Sequence, residues 1–189
     1  METVLLSAIT VAIAEIGDKT QFLAILLAAR FRKPVPIIAG IFCATLANHL
    51  VAAVIGVGIG DFLSGPTLRW VLGISFLGMA GWTLVPDKAD AMPRVLDNWG
   101  VFGATAVAFF LVEIGDKTQI ATMALAARFH SVLLVAAGTT TGLLLADIPA
   151  VLVGEFAADR LPLRLMRFIA AAIFAAFGIL TLLNVGNFF

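Results

Sequence analysis

Two identical hexapeptides carry the chemistry this chain can perform. Glu15-Ile16-Gly17-Asp18-Lys19-Thr20 recurs 98 residues later as Glu113-Ile114-Gly115-Asp116-Lys117-Thr118, and a glutamine follows each copy, Gln21 and Gln119. Each copy sets two carboxylates and an ammonium in the middle of a long apolar run. On a continuous helix Glu15, Asp18 and Lys19, spaced by three and four, share one face, as do Glu113, Asp116 and Lys117. Gln21 and Gln119 fall at the edge of that face. Thr20 and Thr118 point away from it unless the helix unwinds, and Gly17 and Gly115 invite unwinding or a close helix approach because they lack a side chain.

The surroundings decide what these groups are for. Of the 189 residues 61% are hydrophobic and 13% charged, with mean hydropathy +1.08, whereas a soluble domain is nearer half apolar and a quarter charged. The expected solvent is a bilayer. Formal net charge is zero, which gives no electrostatic field for nucleic acid. An ionisable side chain at the bilayer centre costs about 2.5–3.5 kcal/mol on insertion scales, so the six in the motifs would cost on the order of 15–20 kcal/mol unpaired. They must face the interior of a helix bundle and be compensated there. Four carboxylates against two lysines leave two negative charges, which one divalent cation or two protons would cancel. That count points to exchange of a divalent cation for protons at a site made by both motifs, with Lys19 and Lys117 as counter-charges that hold the carboxylates when no cation is bound.

The donor set is carboxylate and amide oxygen, from Glu15, Asp18, Glu113, Asp116, Gln21 and Gln119. Such ligands suit hard ions such as Mn²⁺, Ca²⁺ or Mg²⁺, and no Cys/His spacing exists to recruit Zn²⁺. No resident cofactor is implied; the cation is cargo. Cys43, the single cysteine, is expected to be small packing, as are Met79 and Met123. Asn48 and His49 lie near the middle of the second apolar segment, and the 98-residue offset sets Asp147 opposite His49. These three either complete the coordination or relay protons, or else form a hydrogen-bonded pair that fixes helix packing. Thr139, Thr140 and Thr141, and the Gly56/Gly60 pair, read as helix-packing features.

The elements that must position these groups follow from hydropathy. A span needs about 20 apolar residues, and six segments qualify, near 3–29, 35–60, 67–86, 100–127, 131–154 and 164–185. The first lacks the basic start of a signal peptide and reads as a permanent membrane helix. The offset matches far more than the motif: Ala28-Ala29-Arg30-Phe31 meets Ala126-Ala127-Arg128-Phe129, Gly56 meets Gly154, Asp61 meets Asp159, and Phe76 meets Phe174. The expected fold is an all-α integral membrane protein with six transmembrane helices in two three-helix repeats. Residues 1–86 form the first, 87–99 a polar linker and 100–189 the second. Three spans per repeat is odd, so the second repeat is inverted, the plan of many secondary transporters with a midplane site. Short-loop Lys and Arg number eight on one side (Arg30, Arg32, Lys33, Lys88, Arg94, Arg160, Arg164 and Arg167) against two on the other (Arg69 and Arg128). The positive-inside rule therefore sets both termini outside the cytoplasm. Trp70, Trp82 and Trp99 sit near segment ends, as an aromatic belt would.

On these motifs the chain resembles the Gdt-one family of cation–proton exchangers, whose signature is Glu, an apolar residue, Gly, Asp, Lys or Arg, then Thr or Ser, once per three-helix repeat. Glu15 to Thr20 and Glu113 to Thr118 match it at every position, and the resemblance covers essentially the whole chain. It implies that Glu15, Asp18, Glu113 and Asp116 form the transport site, and that the cargo is manganese, with calcium as the other family substrate. The short loops resemble the bacterial manganese-exporter branch, which implies a bacterial inner membrane and export. A homo-oligomer is compatible with the sequence. Two other functions fit parts of it. A passive cation channel shares the buried acidic site. An intramembrane aspartyl protease shares the Gly-Asp pair of Gly17-Asp18 and Gly115-Asp116, but peptide hydrolysis gives no reason for a duplicated charged hexapeptide.

Overall fold

The computed structural model describes residues 1–63, 65–85, 99–153 and 163–184. Most of the polar linker, with Lys88 and Arg94, lies outside the described residues. So do Gly154, Asp159 and Arg160, and the side chains of Arg164 and Arg167. Every described element is an α-helix: α1 (Glu2–Glu15), α2 (Lys19–Phe31), α3 (Pro34–Phe62), α4 (Gly65–Thr83), α5 (Gly100–Glu113), α6 (Lys117–Phe129), α7 (Val132–Val153) and α8 (Leu163–Leu182).

The first and fourth expected segments are each two helices rather than one. α1 and α2 meet at Ile16–Asp18, and α5 and α6 at Ile114–Asp116. The cause is glycine: Gly17 and Gly115 take φ +80° and +75°, a left-handed conformation that costs a side-chain-bearing residue about 1–2 kcal/mol. Each half has 13 or 14 residues, about 20 Å at 1.5 Å per residue, short of a bilayer core of about 30 Å. Among the described residues two helices, α3 and α7, are long and apolar enough to cross a membrane. α3 starts on Pro34, where a missing N–H costs nothing.

Packing ties the two halves of the chain into one body. α1 lies on α7 and, at the equivalent positions, α5 lies on α3; α3 meets α7, and α4 meets α8. Glycines allow the closest approaches. A Cβ at Gly142 would stand 2.3 Å from the Ala8 carbonyl oxygen, and one at Gly56 2.2 Å from that of Met123. Gly60 similarly abuts Ala127, so the Gly56/Gly60 pair is a helix-contact motif, between α3 and α6. Phe76 and Phe174, which occupy equivalent positions, stack with ring centroids 6.5 Å apart. The cores are shared: Val11, Leu23, Ile37 and Ile41 pack with Ala104, Phe109 and Leu143.

Met79 is buried in the second core as expected. Cys43 is not: it is exposed on α3, on the side of the helix away from Ala44 and Thr45, which are buried. Trp70, Trp82 and Trp99 are all exposed, as a belt requires. Arg30 lies over the Phe31 ring and Arg128 over that of Phe129, so even the Arg-Phe steps at the ends of α2 and α6 repeat. Thr139 and Thr141 hydrogen-bond to carbonyls of their own helix.

Candidate functional site

The two breaks are built alike. Beyond Glu15 the chain turns extended at Ile16 (φ −61°, ψ 116°), passes through Gly17, and re-enters helix with Asp18 as the N-cap residue of α2 (φ −85°, ψ 170°). Ile114 and Asp116 have nearly the same angles. The Asp18 N–H donates to the Glu15 carbonyl and the Asp116 N–H to that of Glu113, both at 3.0 Å. The glycine N–H groups are taken by the glutamines: Gly17 donates to Gln21 Oε1 at 2.9 Å and Gly115 to Gln119 Oε1 at 2.8 Å. Gln21 also donates from Nε2 to the Ala146 carbonyl, 3.2 Å away in α7. The carbonyl oxygen of each glutamine is thus engaged with the backbone of its own break, satisfying an N–H that the interrupted helix leaves without its usual acceptor.

The breaks change which charges meet. Lys19 does not face Glu15; its ammonium sits 3.1 Å from Asp116. Reciprocally, the Lys117 ammonium donates to Asp18 at 3.0 Å. Because 18 and 19 correspond to 116 and 117, the two ion pairs exchange partners as a two-fold relation requires. The unwound turn also brings Thr20 inward, and its hydroxyl donates to the Glu15 carboxylate. Thr118 instead donates to Asp116 at 3.1 Å. One ligand oxygen from each of Glu15, Asp18 and Asp116 falls within 4.8 Å of the others, and all three residues are buried. Both half-helices α2 and α6 start at this cluster, so the partial positive charge of each N-terminus bears on the capping carboxylates.

Glu113, the fourth motif carboxylate, is buried but not a member of that group. It is held from α3: Thr45 donates to one carboxylate oxygen at 2.5 Å, and Asn48 Nδ2 to the other at 3.1 Å, while also reaching the Phe110 carbonyl at 3.1 Å. Thr45 carried no signal in the sequence beyond facing Leu143 across the offset. His49 and Asp147 are buried, 1% and 0% exposed, and among the described residues neither the ring nitrogens nor the carboxylate oxygens have a hydrogen-bond partner. They are therefore not bonded to each other, and the packing-pair reading fails. A cavity of about 270 Å³ lies beside the first break, lined by Ala12, Ile16, Gln21, Ala146 and Pro149 among others; its lining is apolar apart from Gln21, unlike the carboxylate cluster.

A bundle interior with carboxylates converging from two broken helices suits cation transport, and comparison with known proteins decides the family. The chain matches the family described as divalent cation/proton antiporter GDT1 over residues 3–91 and 101–187. It belongs to the GDT1 family. It is 53% identical over 182 residues to a Vibrio cholerae protein named "Putative manganese exporter", covering 96% of this chain and 90% of that relative. A GDT1-like protein of Synechocystis is 26% identical over 196 residues, covering 90% of this chain and 92% of its own. A chloroplastic GDT1-like protein of rice is 31% identical over 205 residues, 92% of this chain and 60% of that one. No solved structure matches the chain. As a GDT1 protein it is a membrane transporter of the cation antiporter class and not an enzyme, and the protease reading is excluded.

Proposed function

We propose that this GDT1 protein exports a divalent cation, Mn²⁺ with Ca²⁺ as the second choice, from the cytoplasm in exchange for protons by alternating access. The observation that carries this reading is the convergence of Glu15, Asp18 and Asp116 within 4.8 Å at crossed ion pairs to Lys117 and Lys19. The name of the Vibrio cholerae relative supports manganese. The three carboxylates bind the cation. The two ammoniums yield to it on arrival and return to the aspartates when it leaves, so that neither aspartate stands bare in the empty site. Glu15 and Glu113 are the two carboxylates no lysine covers in these pairs, matching the two charges that one divalent cation or two protons neutralise. His49 and Asp147, buried without hydrogen-bond partners, relay protons.

Residues 1–86 and 100–189 act as two repeats of opposite orientation joined by the 87–99 linker, with six membrane crossings in all. Each broken pair of half-helices counts as one crossing, whose interrupted backbone is tolerable because the glutamine side chains take the freed glycine N–H groups. The protein sits in a bacterial inner membrane with both termini outside the cytoplasm, as the Lys and Arg distribution favours. Reconstitution in liposomes with an imposed pH gradient tests the reading. Mn²⁺ or Ca²⁺ flux is expected with opposing proton movement, and both are lost in Glu15→Gln. Cation flux indifferent to the proton gradient would establish a channel instead.

A further inference from the structure

The four motif carboxylates are related in pairs by the 98-residue offset, yet their surroundings differ. α3 offers Glu113 two donors, Thr45 at 2.5 Å and Asn48 at 3.1 Å, one to each oxygen. The equivalent positions of α7 are Leu143 and Ala146, which have no side-chain donor. Glu15 accordingly has only the local Thr20 hydroxyl, and its second oxygen has no hydrogen-bond partner. The unclamped carboxylate is the one in the three-oxygen cluster, and the clamped one is outside it.

We infer that Thr45 and Asn48 are positioning residues that hold Glu113 away from the cation cluster, setting a weak-binding arrangement to which the transporter returns after each release. This rests on the exchanger reading above. Cation binding in the opposite arrangement recruits Glu113 as a fourth carboxylate, and to do so it must break both α3 bonds. No mirror-image clamp can form on Glu15, because Leu143 and Ala146 donate nothing. The cycle is therefore asymmetric although the motifs are identical. Hydrogen bonds to charged groups are strong enough that two of them shift such an equilibrium by about tenfold or more.

Equilibrium Mn²⁺ binding to the purified full-length protein, paired with turnover in liposomes, tests this. Thr45→Val, close in shape, and Asn48→Ala are expected to tighten binding by about tenfold while slowing turnover, because release now lacks the clamp. In a Glu113→Gln background the same substitutions are expected to change neither quantity, a non-additivity that simple loss of packing would not produce. Installing donors opposite, with Leu143→Thr and Ala146→Asn, is expected to weaken binding; should that double variant fail to fold, Thr45→Val with its Glu113→Gln control decides alone. Thr45→Val that binds Mn²⁺ as wild type does, or more weakly with a steeper pH dependence, overturns the clamp. A wild-type protein that binds no Mn²⁺, or Glu15→Gln that binds it undiminished, would instead sink the exchanger reading.

Discussion

The first and second repeats carry the same hexapeptide, the same glycine-centred break and the same glutamine closure, and they differ in what lies across from them. At the second break a polar helix face, Thr45 and Asn48, grips the glutamate. At the first, the glutamate meets Thr20 from its own break. The lysines differ as well: the Lys117 side chain is 3% exposed and that of Lys19 23%. Identical motifs thus supply the charge, and the flanking helices decide how each copy uses it. A duplicated site can be symmetric in its ligands and unequal in its energetics.

That contrast can be broken or sharpened by paired substitutions. The largest effect is expected for Lys117→Met, which removes one side of the buried pair with Asp18 and should cost about 3–5 kcal/mol of stability in detergent, whereas Lys19→Met, partly open, should cost about 1–2 kcal/mol; equal losses in thermal unfolding would erase the difference. Next, Glu15→Gln should weaken Mn²⁺ binding by more than about a hundredfold and Glu113→Gln by about tenfold, the smaller loss because recruiting Glu113 must first break its two bonds to α3, as read by titration at fixed pH. Gly40→Ala and Gly138→Ala stand at equivalent positions, where an added Cβ would meet the Phe102 and Val4 carbonyl oxygens at 2.9 and 2.6 Å, and each should destabilise by about 1–3 kcal/mol in thermal unfolding. Their near-equality is the check on the two-fold packing, and a silent Gly138→Ala would contradict it. Smallest is the glutamine pair: Gln21→Ala loses bonds to Gly17 and Ala146 and Gln119→Ala the one to Gly115, so the first should exceed the second by about 1 kcal/mol in chemical denaturation.

Much of the site was legible in the residues alone. The cost of buried charge singled out Glu15, Asp18, Lys19 and their copies, and the offset showed that they belong together. What a helical wheel could not reveal was the partner of each lysine. Treating 3–29 as one helix put Lys19 on the face of Glu15, but a left-handed Gly17 turns the chain there, and the ammonium crosses to Asp116. The same turn took the Gln21 oxygen, expected among the cation donors, to the Gly17 N–H. Thr45 was invisible because a threonine in an apolar helix usually bonds its own backbone, as Thr10, Thr105 and Thr122 do. The linker at 87–99 and Asp159 fall outside the described residues apart from Trp99.

The crossed ion pairs reach beyond transport to how such a chain is put together. In these pairs each half lends a counter-charge to the aspartate of the other: Lys117 meets Asp18 and Lys19 meets Asp116. A half synthesised alone would enter the bilayer without either of these two contacts. Two separately encoded halves should therefore find each other in the membrane, each bringing the lysine that meets the other's aspartate.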